Sequence, residues 1–185
     1  MSSSPTILFV PGLRDHVEDH WQTILARQIP GSVTVAPLDH DKLSCAARVA
    51  ALDDAYGRIH GPVVLVAHSA GVMIAVHWVA RFARPVHGAL FATPADLESP
   101  LPPGYPDPDT ITSSGWLPIP RKKLPFPAIV AASIDDPLAR FLRVVEYAGD
   151  WGARLINLGR VGHLNPASGF GEWKQGATLV KELIR

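Results

Sequence analysis

Apolar residues along this chain fall into two kinds of run, and the two alternate. Short, mostly apolar stretches occur at 6–10, 32–36, 62–67, 88–92, 128–132 and 154–158, the one at 62–67 unbroken and rich in β-branched residues. Runs of this length and composition read as strands, the most apolar of them buried on both faces of a parallel sheet. Between them, apolar positions recur at helical spacing. Residues 18–28 place Trp21, Ile24 and Leu25 on one side, and Pro30-Gly31 stops the pattern. Ser44 is a candidate cap for a helix through Val49, Leu52, Tyr56 and Ile59, ended by Gly61-Pro62. A third helix runs from about residue 70 to Phe82, a fourth over 138–148 and a last one over 172–184. Strand and helix in strict alternation predict an α/β protein: a compact parallel sheet of about six strands with helices on both faces.

One segment breaks the rhythm. Residues 94–127 hold more than half of the chain's 18 prolines and show no regular apolar period. The expectation is an irregular excursion from a single domain spanning 1–185, not a second domain. A stretch this long inside a compact domain is usually functional, and its ends leave and rejoin one edge of the sheet, which makes it a candidate lid.

Composition narrows the partners. Seventeen basic and 17 acidic side chains give a formal net charge of zero, without the basic patch that nucleic acid or an anionic membrane would require. A lone cysteine, Cys45, excludes an intrachain disulfide and suits a reducing compartment. Met1 to Pro5 carries no basic n-region or long apolar run, so no signal peptide is read there, and no stretch is apolar enough to span a bilayer. Together these predict a cytoplasmic protein acting on a small molecule, with the oligomeric state left open.

The chemistry begins at Ala67-His68-Ser69-Ala70-Gly71, placed between the third strand and the third helix. A serine on a sharp strand-to-helix turn needs neighbours two residues away with almost no side chain, and Ala67 and Gly71 supply them. The turn also sets the serine at a helix N-terminus, where free N–H groups can stabilise an oxyanion. The plainer alternative is an ordinary serine in a tight turn.

Two further polar groups follow strands at the same sheet edge, where open parallel sheets bind ligands. Asp135 and Asp136 follow the fifth strand, and His163 follows the sixth in Gly159-Arg160-Val161-Gly162-His163. Serine, then aspartate, then histidine is the chain order of α/β-hydrolase triads. The types fit the task, because a hydroxyl needs an imidazole to take its proton and a carboxylate must hold that imidazole in the right tautomer. Pro137 restricts Asp136 to an extended conformation, which favours it over Asp135. For the oxyanion, the backbone N–H groups of Ala70 and of Leu13, after Pro11-Gly12, are the candidates. Trp116 and Leu164 are candidate pocket residues on their loop positions. His16 and His20 have i,i+4 spacing but no third ligand, so no metal is expected, and the residue types require no cofactor. His68 reads as a packing residue.

These segments resemble the small serine hydrolases of the YdeN and retinoblastoma-binding protein 9 type, in the α/β-hydrolase superfamily. The resemblance is carried by Val10-Pro11-Gly12-Leu13, Asp19-His20-Trp21-Gln22, Ala67-His68-Ser69-Ala70-Gly71, Ala132-Ser133-Ile134-Asp135-Asp136-Pro137 and Gly162-His163-Leu164-Asn165, with Ser168 to Trp173 after them. It implies an α/β-hydrolase-like fold without a large cap domain, esterase-like activity on a small ester or amide, and Ser69, Asp136 and His163 as triad. Some relatives carry a Leu-x-Cys-x-Glu segment for retinoblastoma-type partners. Leu43-Ser44-Cys45-Ala46-Ala47 lacks its acidic residue, and that partner is not expected here. The rival reading is a binding or scaffold protein that keeps the fold without turnover. A nucleotide-binding flavodoxin-like domain fits less well, because the loop after the first strand has only Gly12 and no phosphate cradle.

Overall fold

The structure is a computed structural model that describes residues 4–185. Residues 1–3, part of the segment read for a signal peptide, lie outside the described residues. Six strands form one parallel sheet in the order β2-β1-β3-β4-β5-β6: β1 is Thr6–Val10, β2 Val33–Thr34, β3 Val63–His68, β4 Gly88–Ala92, β5 Ala128–Ala132 and β6 Arg154–Asn157. The chain steps outward from β1 to β2, then returns to the other side of β1 for β3. The order therefore reverses between β1 and β3, and that reversal opens a crevice at their carboxyl ends.

The central strands are apolar at every position but Thr6, which opens β1, and His68, which ends β3, because both sides of the sheet are covered. On one side Leu8, Val10, Leu65, Ala67, Phe91 and Val130 pack with α2 (Cys45–Gly57), α3 (Ala70–Arg81) and α5 (Phe141–Trp151). On the other, Ile7, Phe9, Val64, Val66, Leu90 and Ile129 meet α1 (Trp21–Gln28) and α6 (Lys174–Ile184). Alternate residues of one strand thus serve two cores, as the period of two requires.

Departures from the predicted boundaries have local causes. Helix α1 starts at Trp21 and not at Glu18, because the His20 ring caps it, accepting from the Gln22 amide. Helix α5 is displaced three residues along the chain. Asp136 accepts from the Leu138 amide in a turn that delays its start, and Gly152, at φ +65°, sets its end. Strand β2 shrinks to two residues at the edge of the sheet.

The proline-rich segment is more ordered than its sequence pattern predicts. It contains a short helix, α4 (Pro108–Ser113), with Asp107 as N-cap and proline at the first turn. Ile111, Trp116, Ile119 and Leu124 join the core on the α3 side of the sheet. Trp116 is wholly buried, its indole N–H donating to the Leu43 carbonyl at 2.8 Å and its own carbonyl bonded to the His77 ring. Trp116→Ala should therefore cost about 3–5 kcal/mol of stability, the range for deleting a buried aromatic. Urea unfolding of the variant measures it, and a loss below about 1 kcal/mol would contradict the packing described.

Candidate active site

The site is assembled at the crevice from three loops. Ser69 lies between β3 and α3 with φ +59° and ψ −130°, a backbone conformation that residues with a Cβ rarely adopt. Its amide donates to the Ala92 carbonyl at 3.1 Å, which pins the turn to β4. Gly71 explains why the turn can be so tight. A Cβ there would lie 2.2 Å from the Val10 oxygen and 2.8 Å from that of Pro11, so the first turn of α3 touches the end of β1. A Cβ on Gly12 would sit 3.2 Å from that of Ser69, which brings the loop after β1 against the serine.

His163 reaches the same point from the loop after β6. Its Nε2 lies 2.8 Å from Ser69 Oγ, and its Nδ1 lies 2.9 Å from each carboxylate oxygen of Asp136. The side chains of His163 and Asp136 are 5% and 1% exposed. With Nδ1–H donating to the carboxylate, Nε2 is left to accept from the serine hydroxyl. The sequence-predicted Ser69, Asp136 and His163 are thus one hydrogen-bonded chain. A chain of this kind can move a proton off the serine oxygen as that oxygen attacks.

The loops that hold the chain are themselves bonded. Asp135 accepts from Ser133 Oγ at 2.9 Å and from the Gly162 amide at 2.8 Å, so it ties the loop after β5 to the loop after β6. Those two bonds, the amide first, hold its carboxyl below the usual carboxylate range. The His163 amide donates to Ser168 Oγ at 3.0 Å, and that hydroxyl donates to Asn165 Oδ1 at 3.0 Å. A Cβ on Gly162 would lie 2.5 Å from Ser168 Oγ, so glycine is what lets Ser168 approach.

Behind the triad-like chain runs a row of imidazoles packed at a tilt. The His68 ring centroid is 4.8 Å from that of His163 and 4.5 Å from that of His20, and 6.0 Å from that of Trp21, which it meets edge to face. His68 Nε2–H donates to the His163 carbonyl at 2.9 Å. Burial, and secondarily the neighbouring His163 ring, hold His68 well below its ordinary pKa and push His20 down to about 4. Both rings are therefore neutral near pH 7. Gln22, also buried, donates to the Val66 carbonyl at 2.9 Å and to that of Val10 at 3.3 Å, fixing α1 to β3 and β1.

A cavity of about 250 Å³ opens over Ser69 and His163. Leu13 and Val17 wall it from the β1–α1 loop, Leu43 from the segment before α2, and Leu97, Leu101 and Tyr105 from the proline-rich segment. Leu13 and Ala70, the two candidate oxyanion donors, both line this cavity. The Ala70 amide is the first N–H of α3 and has no intrahelical acceptor. The other two pocket candidates are corrected. Trp116 is in the core, and Leu164, wholly buried at φ +49°, packs on the α1/α6 side of the sheet. Neither lines the cavity. A loop position after a strand does not tell whether an apolar side chain turns inward or toward ligand. Leu97, Leu101 and Tyr105, apolar members of the candidate lid segment, line the cavity in their place, as does His20. Among the described residues no group of three metal-ligating side chains comes together, and no helix is long and apolar enough to cross a membrane.

The serine hydrolase family model matches residues 7–182. Among solved structures, a YdeN-like hydrolase from Pectobacterium atrosepticum is 26% identical, with 98% of this chain and 94% of that one covered at a TM-score of 0.80. The ydeN gene product of Bacillus subtilis shares the fold at 17% identity and a TM-score of 0.73, over 97% of this chain and 98% of that one. Est1E from Butyrivibrio proteoclasticus does so at 10% identity and 0.69, over 100% and 90%. No curated protein sequence matches the chain.

The neutral imidazole row gives a pH prediction. An unfolded histidine titrates near 6.5 and folded His20 near 4, so between those values the unfolded chain binds the extra proton. The His20 contribution is fully present above about pH 6.5 and is lost as pH falls toward 4, by about 2–3 kcal/mol. His20→Asn keeps a helix-capping oxygen but removes the titrating ring. Urea unfolding at pH 7 and pH 4.5 should show a smaller drop in the variant. Equal drops would mean that His20 is not held neutral by burial.

Proposed function

Because the chain belongs to the serine hydrolase family, we propose that it hydrolyses a small ester or amide through an acyl-enzyme, with Ser69, His163 and Asp136 as its triad. In this reading Ser69 Oγ attacks the carbonyl carbon while His163 Nε2 takes the hydroxyl proton. Asp136 stabilises the resulting imidazolium. The oxyanion accepts from the backbone N–H groups of Leu13 and Ala70. The imidazolium then protonates the departing alcohol or amine. Water, activated by the same imidazole, releases the acid and restores the serine.

The observation that carries this reading is a strained serine inside a complete chain of bonds: 2.8 Å to Nε2, and 2.9 Å from Nδ1 to the carboxylate. Positive φ at a residue with a Cβ costs about 1–3 kcal/mol, which a scaffold protein gains nothing by keeping. The apolar walls of the cavity fit an apolar acyl group next to the reacting carbonyl. We read Leu97, Leu101 and Tyr105 as the side of the proline-rich segment that acts on substrate, by selecting acyl length.

Labelling with a fluorophosphonate probe and a panel of p-nitrophenyl esters of graded chain length tests the proposal. Wild type should be labelled and should turn over short and medium esters. Ser69→Ala should abolish both, with stability changed by no more than about 1 kcal/mol. Asp136→Asn should lower kcat on the order of 10⁴-fold, and Asp135→Asn far less, since Asp135 bonds the Gly162 amide and the Ser133 hydroxyl and not the imidazole. A wild-type protein inert to the probe and to every ester would favour the scaffold reading. The reverse ranking of the two aspartates would reassign the acid.

A further inference from the structure

Helix α2 carries Arg48, an arginine with a side chain only 5% exposed. A buried guanidinium is costly unless its donors are met, and here they are met by two separate segments. Nε–H donates to the Lys42 carbonyl at 2.8 Å, Nη2–H donates to the Leu13 carbonyl at 3.2 Å, and Nη1 pairs with the Asp15 carboxylate. Two of these acceptors belong to the loop after β1, on either side of Arg14.

That loop holds one of the two proposed oxyanion donors, the Leu13 N–H, and its aim depends on two peptide planes. The first joins Gly12 to Leu13. In a planar trans peptide the Gly12 carbonyl and the Leu13 N–H point in opposite directions, so holding one end sets the other. The Gly12 carbonyl is held by the Asp15 amide at 3.0 Å. The second plane joins Leu13 to Arg14, and its carbonyl is the one Arg48 holds. Asp15 sits at φ +54°, a conformation that an aspartate keeps only when neighbours fix it, and its side chain is paired with Arg48. Arg48 therefore binds one plane directly and, through Asp15, anchors the residue that binds the other.

We propose that Arg48 is the positioning residue of the oxyanion hole, the rigid backing on α2 that aims the Leu13 N–H at the cavity. This rests on the hydrolase reading above. Arg48 meets no substrate in this role and acts only through the backbone of 12–15. A donor aimed by a slack loop loses directionality, on which hydrogen-bond strength depends steeply. The loss falls on the charge that develops in the transition state more than on the bound ester, so it should appear in kcat and not in KM.

The test uses the full chain with a neutral p-nitrophenyl ester and a trifluoromethyl ketone, whose serine adduct carries an oxyanion. Arg48→Lys keeps a positive charge near Asp15 but has one ammonium in place of a fork that spans Leu13, Asp15 and Lys42. It should lower kcat about 10–100-fold with KM within about threefold, and weaken the ketone by a similar factor. The full removal of an oxyanion donor, about 10²–10³-fold, bounds the effect. Arg48→Met should do the same or more. A folded Arg48→Lys with kcat within about twofold of wild type, or with the loss confined to KM, overturns the proposal, and a merely structural arginine would give that result with a lowered Tm. Should the Arg48 variants fail to fold, Asp15→Asn decides: the guanidinium stays, and kcat should fall several-fold at constant KM, whereas unchanged kcat overturns the role. Wild type inert to every ester and to the fluorophosphonate overturns the hydrolase reading and this one together. An active wild type with unaffected variants overturns this one alone.

Discussion

Strand β1 and helix α3 approach so closely that no side chain fits between them, and the rest of the site depends on that contact. The Val10 and Pro11 oxygens occupy the space a Cβ on residue 71 would need. A larger residue there would push α3 off the sheet, and the serine turn would go with it. Because β1 and β3 are neighbours in the sheet, the same contact brings Gly12 against Ser69. The loop that carries one proposed oxyanion donor is thereby brought to the turn that carries the other, and Arg48 is left only to aim the first.

The face behind His163 is built from neutral rings, and the electrostatics give a reason. An imidazolium forms on His163 in the proposed reaction, and a permanent cation 4–5 Å away would oppose it. Burial keeps His68 and His20 uncharged, so they pack and orient without adding charge. His68 does a second job by donating to the His163 carbonyl, which fixes the backbone of the residue whose ring it packs against. On the opposite side Arg48, the one buried Arg or Lys among the described residues, is matched by Asp15. Arg14 also lines the cavity, but it is exposed to water and lies 5.5 Å over the Tyr105 ring.

Much of this was legible in the sequence because it rests on local pattern. Six apolar runs separated by helical periods gave the sheet, and Ala67, Ser69 and Gly71 marked the turn by size alone. Pro137 singled out Asp136, and it is Asp136 that meets the imidazole while Asp135 bonds the Gly162 amide. What stayed hidden depends on tertiary direction. Arg48 is a charged residue inside an apolar helical period, and nothing local shows that its guanidinium turns inward to a loop 33 residues earlier. Trp116 and Leu164 look like loop residues free to face ligand, yet both complete cores. Helix α4 was missed because six residues offer too short a period, although Asp107-Pro108 carried its capping signal.

The proline-rich segment shows how a stretch without periodicity is still determined. Its start is fixed to α5 and the loop before it: the Asp96 amide donates to the Leu138 carbonyl at 2.9 Å, and Tyr147 Oη–H donates to Asp96 Oδ1 at 3.2 Å. Arg121, further along, pairs with Glu98 and lies 4.4 Å over the Tyr147 ring, so the segment is closed back on itself above α5. Between those anchors Leu97, Leu101 and Tyr105 face the cavity, while Ile111 and Trp116 are buried. Trp116 then reaches the cavity indirectly, because its indole holds the Leu43 carbonyl and the Leu43 side chain is part of the wall. Prolines reduce the entropy lost in ordering such a path, which lets a chain with no ladder of its own be rigid. The shape offered to an acyl group is thus set from the core outward, by residues that never touch it.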